Sequence, residues 1–241
     1  MNKEFERTFG KSSIGTSNSD TGEHWLSVSD LMSGLMMVFL FVSIALMRDA
    51  MIERDKIKEV AVAYQENQVE LYNALYDEFK SDLKRWDADI EKDTLSFEFK
   101  SPDVLFDTGK ITLKPAFKEI LNNFFPRYLD VLMNFRDSID EVRIEGHTSS
   151  VWNHGSTEDE AYFNNMELSQ GRTRSVLLYA YEINGIVENR AWVKENVAAV
   201  GFSSSRLIKK IDGSEDLERS RRVSFRVITN AETQIRKILE N

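Results

Sequence analysis

The run Leu31–Met47, LMSGLMMVFLFVSIALM, holds no charged side chain across 17 residues, and only Ser33, Gly34 and Ser43 interrupt its apolar character. Extended back to Trp25 it covers 23 residues, which is roughly 35 Å of helix at ~1.5 Å per residue. That length crosses a hydrocarbon core of about 30 Å with some tilt. A cleaved signal fits poorly, because the run starts behind an acidic and polar leader and no small-residue cleavage site precedes Arg48 and Asp49. A soluble core helix fits poorly too, because the run is apolar on every side. The reading is one membrane-spanning helix over 25–47, behind a leader over 1–24.

Asp30 lies five residues beyond Trp25, about 7–8 Å inside the expected interfacial aromatic. A charge deep in a membrane helix costs ~2.5–3.5 kcal/mol. The nine Leu, Ile, Val and Phe side chains that follow offset this by ~3–5 kcal/mol on the same scale. Insertion survives Asp30, with little to spare. From the residues alone, two readings stay open. Asp30 could sit at the headgroup boundary as a helix N-cap beside Ser27 and Ser29. It could instead be a proton or cation site, because the ionised carboxyl is costly inside a membrane and the neutral one is not. Charge counting leaves the topology undecided, with Lys3, Arg7 and Lys11 on one side and Arg48, Arg54, Lys56 and Lys58 on the other.

Composition narrows the chemistry. Of 241 residues, 40 are acidic and 31 basic, a formal net charge of −9. That excess argues against direct nucleic-acid binding, which needs a basic face. The absence of cysteine excludes disulfides and Cys-based zinc sites. Three histidines are too few for a His-rich metal centre, so no metal and no resident cofactor is expected. The mean hydropathy of −0.39 is that of a soluble protein and conceals how unevenly the apolar residues are spread.

Beyond the apolar run, no Gly occurs between Gly34 and Gly109 and no Pro before Pro102. Residues 48–92 are rich in helix formers. Apolar side chains recur at Ile57, Val60, Tyr64, Leu71, Leu75, Phe79, Leu83, Trp86 and Ile90, mostly at steps of three or four. This predicts a helical linker or shaft about 65 Å long. It could pair with its own copy as a coiled coil or stand as a solvated spacer, because Asn67 and the later steps of four break a strict heptad.

Residues 93–241 read as one folded domain. Strands are expected at Thr94–Phe99, Val142–Gly146, Val197–Phe202 and Val223–Ile228. Helices are expected from Leu113 to about Asn134, where Pro126 must end or kink the helix, and from Phe163 to Ile183, stopped by Asn184-Gly185. A last helix is expected over Glu232–Glu240. The βαβαββ order predicts an α/β (α+β) layer domain with helices on a mixed sheet.

These segments carry a resemblance. LFDTGK (Leu105–Lys110), IEGHTSS (Ile144–Ser150), NMELSQGR (Asn165–Arg172), VGF (Val200–Phe202) and SRRVSFRV (Ser220–Val227) follow the order of the OmpA/MotB peptidoglycan-binding domain family. Asp30 followed by Met32, Gly34, Met36, Met37, Phe39 and Leu40 is similar to the membrane helix of MotB-type stator subunits. Together they look most like the stator-like subunits of Zorya anti-phage systems. A flagellar relative is the rival, but its usual basic leader is missing here, where three Lys/Arg face four Asp/Glu in the first 24 residues.

The resemblance implies roles. Arg172 would hold a stem-peptide carboxylate of peptidoglycan, with Asn165 and Asn164 beside it and Leu168 packed beneath. Ser149 stands where the family commonly has an Asp that pairs with the diaminopimelate amine; a hydroxyl brings no charge. One of Glu158, Asp159 and Glu160 in the loop Ser150–Tyr162 could substitute. Arg221 and Arg222 could face the ligand or be plain surface charge. His147 and Ser149 suggest a hydrolase, but no third orienting group is placed by the sequence, so the chain is expected not to be an enzyme. The implied setting is the bacterial inner membrane, with the amino terminus cytoplasmic and the domain periplasmic. Two copies of this chain would sit inside five copies of a multi-span partner of the MotA or ZorA type, Asp30 would carry the ion, and the ring would rotate. A proton suits an Asp with few polar neighbours, although Ser29 and Ser33 could add oxygens for sodium. A passive tether between membrane and wall stays open.

Overall fold

The structure is a computed structural model that describes the backbone of residues 20–100 and 102–230, with side chains from residue 28 onward apart from 64 and 101–103. Residues 1–19 of the leader, the Trp25 side chain and the helix expected over Glu232–Glu240 lie outside the described residues. Two compact units divide the chain, Met1–Lys56 and Ile57–Asn241.

Helix α1 runs Asp20–Phe79. Its membrane-length stretch is long and apolar enough to cross a bilayer, and nothing in the described chain covers it. Leu31, Met36, Phe39, Phe41 and Leu46 are all more than half exposed, an apolar surface that water does not tolerate on this scale. Asp30 is exposed as well and lies ten residues inside α1. It is therefore not the cap of this helix. The Ser33 hydroxyl donates to the Asp30 backbone carbonyl at 2.8 Å, so it is turned to the helix rather than to the carboxylate.

The linker expected over 48–92 stops early. The end of α1 at Phe79 is followed by the single turn α2 (Leu83–Trp86) and by strand β1 (Ala88–Glu91). Asp87, with φ 47°, reverses the chain between them. Leu71, Leu75, Phe79, Trp86 and Ile90 are not a coiled-coil seam; all are buried in the folded unit's core. Asn67, the residue that interrupts the apolar spacing, donates to the Ser138 hydroxyl at 3.5 Å. Gln68 donates to the carbonyls of Lys92 and Asp93 at 3.3 and 2.9 Å. The break in the pattern marks where α1 meets the domain.

Strand β2 (Ser96–Phe99) follows, then the turn α3 (Pro102–Leu105), helix α4 (Pro115–Met133) and strand β3 (Ile139–His147). Helix α5 (Glu158–Glu182), helix α6 (Arg190–Asn196), strand β4 (Val197–Gly201), the turn α7 (Leu217–Ser220) and strand β5 (Arg222–Thr229) complete the unit. The sheet order is β1-β2-β5-β3-β4. Only β3 and β4 run parallel; the other neighbours are antiparallel. From β2 onward the order is the expected βαβαββ, and β1 is an added edge strand.

Alternation along the strands sends Phe97, Phe99, Val142, Ile144, Val223, Phe225 and Val227 into one core with the apolar stripe of α4. Pro126 neither ends nor breaks α4. Its ring packs against Gly185, where an added Cβ would meet ring carbons at 3.1 and 3.3 Å. Helix α5 lies directly on β3 and β4, and two glycines make that possible. A Cβ at Gly146 would meet Thr173 at 2.8 Å and the Ser169 carbonyl at 2.9 Å; one at Gly201 would lie 2.5 Å from the Gln170 amide nitrogen. Helix α5 begins five residues earlier than the expected Phe163. Thr157 and Glu160 form a reciprocal capping box, with Glu160 N–H donating to Thr157 Oγ1 and Thr157 N–H to Glu160 Oε2. Glu158, Asp159 and Glu160 are thus its first turn, where the helix dipole favours acidic residues.

Candidate functional site

At the end of β3, the chain leaves the sheet through Thr148 and Ser149. A cavity of about 520 Å³ opens there between α5, the 106–109 loop and the segment around Leu217 and Arg221. That volume lies within the range of small-ligand sites. Ser149, Asn165, Leu168 and Arg172, expected together from the sequence, all line it. Asn164 is half-buried and is not among the lining residues.

Each lining side chain is held by the fold. Asn165 is 3% exposed, and its Nδ2 donates to the carbonyls of Ser149 and Val151 at 3.1 and 3.3 Å. It fixes the path of the chain after β3. Arg172 donates from Nε to the Lys110 carbonyl at 3.0 Å and from Nη2 to the Asp107 carbonyl at 3.2 Å. Its guanidinium also lies over the Phe106 ring, 4.8 Å from the centroid. The LFDTGK motif is therefore the loop that Arg172 clamps, turned at Gly109 with φ 67°. Helix α5 is registered to β4 by Ser203, whose N–H donates to Ser169 Oγ at 3.1 Å and whose hydroxyl donates to the Tyr162 carbonyl at 2.6 Å.

Sequence reasoning did not single out Phe106, Thr108, Thr148, Trp152 and Leu217, which also line the cavity. Thr148 had a signal in the GHT motif and Phe106 and Thr108 in LFDTGK, whereas Trp152 and Leu217 come from loops whose meeting only the topology brings about. The two arginines weighed together part company. Arg221 lines the cavity, whereas the Arg222 side chain is 11% exposed and donates to Glu98 at 3.4 Å. Glu160 is engaged in the capping box and none of Glu158, Asp159 and Glu160 lines the cavity, so none supplies the charge that Ser149 lacks.

His147 does not face the cavity as a base. It is 4% exposed, stacks on Phe202 at 5.4 Å and 10°, and brings Nε2 to 3.5 Å from Glu145. Burial pushes the His147 imidazole below the usual histidine range, and Arg222 adds to this against the opposing pull of Glu145. Burial raises Glu145, but the His147 hydrogen bond and the Arg206 and Arg226 guanidiniums outweigh it and hold its carboxyl below the ordinary range. Both groups bind protons less readily folded than unfolded. Stability from them is therefore complete at neutral pH and falls as pH drops below the unfolded values, first the histidine's near about pH 6.5 and then the carboxylate's. The denaturation midpoint is expected to fall between about pH 7.5 and 5.5, and His147→Gln to flatten that slope. A slope that His147→Gln leaves unchanged contradicts the assignment. Among the described residues, no group of three or more His, Asp or Glu is arranged to hold a metal ion.

Over 218 residues, 90% of this chain and 93% of the relative, the sequence is 60% identical to Zorya protein ZorB of Escherichia coli Crooks. The chain belongs to the ZorB family. That membership sets aside the flagellar alternative. No family model matches the chain. Among solved structures, a MotB-like protein from Desulfovibrio vulgaris is 22% identical, covers 68% of this chain and 93% of its own, and has a TM-score of 0.49. The cell wall anchor of the T6SS from Pseudomonas aeruginosa is 21% identical over 64% of this chain and 96% of its own, at a TM-score of 0.43. With TM-scores below 0.5, these likenesses add nothing about ligand or partner. What defines this ZorB-family chain chemically is its own pair of features, the acid in α1 and the arginine-bearing cavity of the folded unit.

Proposed function

We propose that this chain is the wall-held subunit of a proton-driven motor in the bacterial inner membrane, acting in anti-phage defence. The observation that carries the proposal is the conjunction of the two features in one chain. One unit holds an acidic side chain in a helix of membrane length, and the other gathers Arg172, Leu168, Asn165 and Ser149 at a cavity suited to a small acidic ligand. A tether needs only the second. A subunit that works an ion needs both, because force on a moving partner requires a fixed counterpart.

Asp30 is exposed on a helix that nothing in the described chain covers. A carboxylate so placed in lipid needs companion helices to shield it and open it to each side. The reading assigns that task to a multi-span partner, five copies around two of this chain. The amino terminus lies in the cytoplasm, and the folded domain reaches peptidoglycan in the periplasm. A proton arriving at Asp30 changes its charge by one, and a membrane potential supplies about 2.3 kcal/mol per charge per 100 mV to bias that step. The folded unit's part is binding, not catalysis.

Arg172→Ala tests the wall-binding half. Loss of the guanidinium removes the charge that meets a stem-peptide carboxylate and frees the 106–110 loop from its clamp. The full chain in detergent is expected to co-sediment with purified sacculi, and the variant to stay in the supernatant. Equal sedimentation of the two contradicts peptidoglycan binding at this cavity.

A further inference from the structure

The segment 203–221 joins β4 to β5 and supplies Leu217 and Arg221 to the cavity wall. It is folded on itself. Ser220 is fully buried and its hydroxyl accepts from Ile208 N–H at 2.9 Å, while Asp216 N–H donates to the Ile208 carbonyl at 2.8 Å. Beyond Ser205, every backbone–backbone hydrogen bond it makes among the described residues is internal. Side chains hold it to the rest of the unit. Arg206 lies 3.7 Å from the Phe202 ring centroid, and its Nη1 is 3.4 Å from Glu145. The Arg206 carbonyl accepts from Arg222 Nη1 at 3.4 Å. Further along, Glu215 accepts from the Ser150 N–H at 3.0 Å and from the Ser150 hydroxyl.

The Arg206 tether ends on a buried pair. Glu145 alternates with the core residue Ile144 and so faces away from α4. It meets His147 Nε2 at 3.5 Å and Arg226 at 4.0 Å. Arg222 pairs with Glu98 of β2 beside the same ring, Arg172 of α5 borders a small void that His147 also borders, and Arg143 on β3 is taken up by Glu141. Arg206, Arg222, Arg226 and Arg172 thus bring four guanidiniums about the pair. His147 is buried, and its Nδ1 has no hydrogen-bond partner among the described residues. In the neutral ring this leaves one lone pair idle. In the protonated ring it leaves a charged N–H without an acceptor, among groups already positive, which costs far more. Burial holds the imidazole below the usual histidine range for the same reason, so proton uptake favours an arrangement in which water reaches the ring. Phe202 covers that ring, stacked on it at 5.4 Å, with Arg206 above. Arg206 is also the guanidinium with the easiest return to water, its side chain 41% exposed against 33% for Arg226 and 11% for Arg222.

We propose that 206–221 is a strap governed by pH: protonation of His147 displaces Arg206 from Glu145, frees the strap from the sheet and withdraws Leu217 and Arg221 from the cavity wall. The domain then grips its ligand at neutral pH and releases it on acidification. This rests on the wall-binding reading and adds a regulation to it. His147 is a positioning residue, acting on the cavity through Glu145 and Arg206 without touching the ligand.

Hydrogen–deuterium exchange of the full chain in detergent, at about pH 7.5 and 5.5 and corrected for intrinsic rates, tests the strap. Opening that takes up one proton shifts by at most about tenfold per pH unit. Amides of 206–219 are expected to exchange ahead of those of β3 and β5, and about fivefold or more faster at the lower pH. His147→Gln keeps a donor for Glu145 and cannot become charged; its strap is expected to exchange within about twofold at the two pH values. Arg206→Gln is expected to show at the higher pH the fast strap exchange that the parent shows at the lower. Co-sedimentation with purified sacculi, run on the same samples, reads the consequence: the parent's bound fraction is expected to fall about fivefold or more on acidification, and that of His147→Gln to hold within about twofold. The proposal is overturned if the strap exchanges only together with β3 and β5, if its acid response persists in His147→Gln, if Arg206→Gln leaves it as protected as in the parent, or if it opens while sacculus binding is undiminished. A parent chain that binds sacculi at neither pH removes the wall-binding reading, and the exchange rates still decide whether the strap opens.

Discussion

Asp30→Asn is expected to leave expression, membrane insertion and partner binding intact while abolishing protection against phage. The substitution keeps the side chain's shape and removes its ability to change charge. An amide carries no charge and costs less to insert than a carboxylate, so failed insertion cannot explain a loss. A structural role for the carboxylate as a helix cap is not available, because α1 begins ten residues earlier. Plaque counts, read beside co-purification of the partner, decide the matter. Undiminished protection by the Asn variant would leave only the passive tether.

Phe124→Ala is expected to have the largest effect on stability, about 3–5 kcal/mol. Phe124 is fully buried. Its ring lies 4.6 Å from Phe97, 4.9 Å from Tyr128, 5.0 Å from Phe225, and 5.2 Å from both Phe79 and Phe99. Trp86 packs edge-on at 6.2 Å. The ring therefore joins the last turn of α1, the turn α2, strands β2 and β5, and its own helix. Truncation leaves a cavity that five elements border, and a loss of this size is a large part of the 5–15 kcal/mol typical of a folded domain. Urea unfolding of the full chain in detergent, followed by near-ultraviolet circular dichroism, is expected to show a much lower midpoint. Phe163→Ala, at a ring 69% exposed on α5, is expected to change stability by no more than about 0.5 kcal/mol. Equal midpoints for the two variants would contradict the packing described.

The same cluster explains what the sequence hid. Leu83, Trp86 and Ile90 continue the helical spacing of α1, and no Gly or Pro warns of a break. The chain instead turns through Asp87 in the left-handed region, and the residues reach one core from a helix end, a single turn and a strand. Apolar spacing reports that side chains share a face; it does not report that the face belongs to one helix. Strands β2 to β5 were legible, because alternation between core and polar positions is a local property. So was the motif on α5 that carries Asn165, Leu168 and Arg172, since positions three and four apart on one helix stay neighbours. Trp152 and Leu217 were not, nor was the choice between Arg221 and Arg222, because these residues reach the cavity from segments far apart in sequence.

The measurement that bears most directly on the central claim is ion flux through the complex of this chain with the proposed multi-span partner, reconstituted in vesicles. With a proton gradient imposed, the parent complex is expected to carry a proton current and the Asp30→Asn complex to carry none. Equal currents from the two, or a current that follows sodium and ignores protons, would contradict the account.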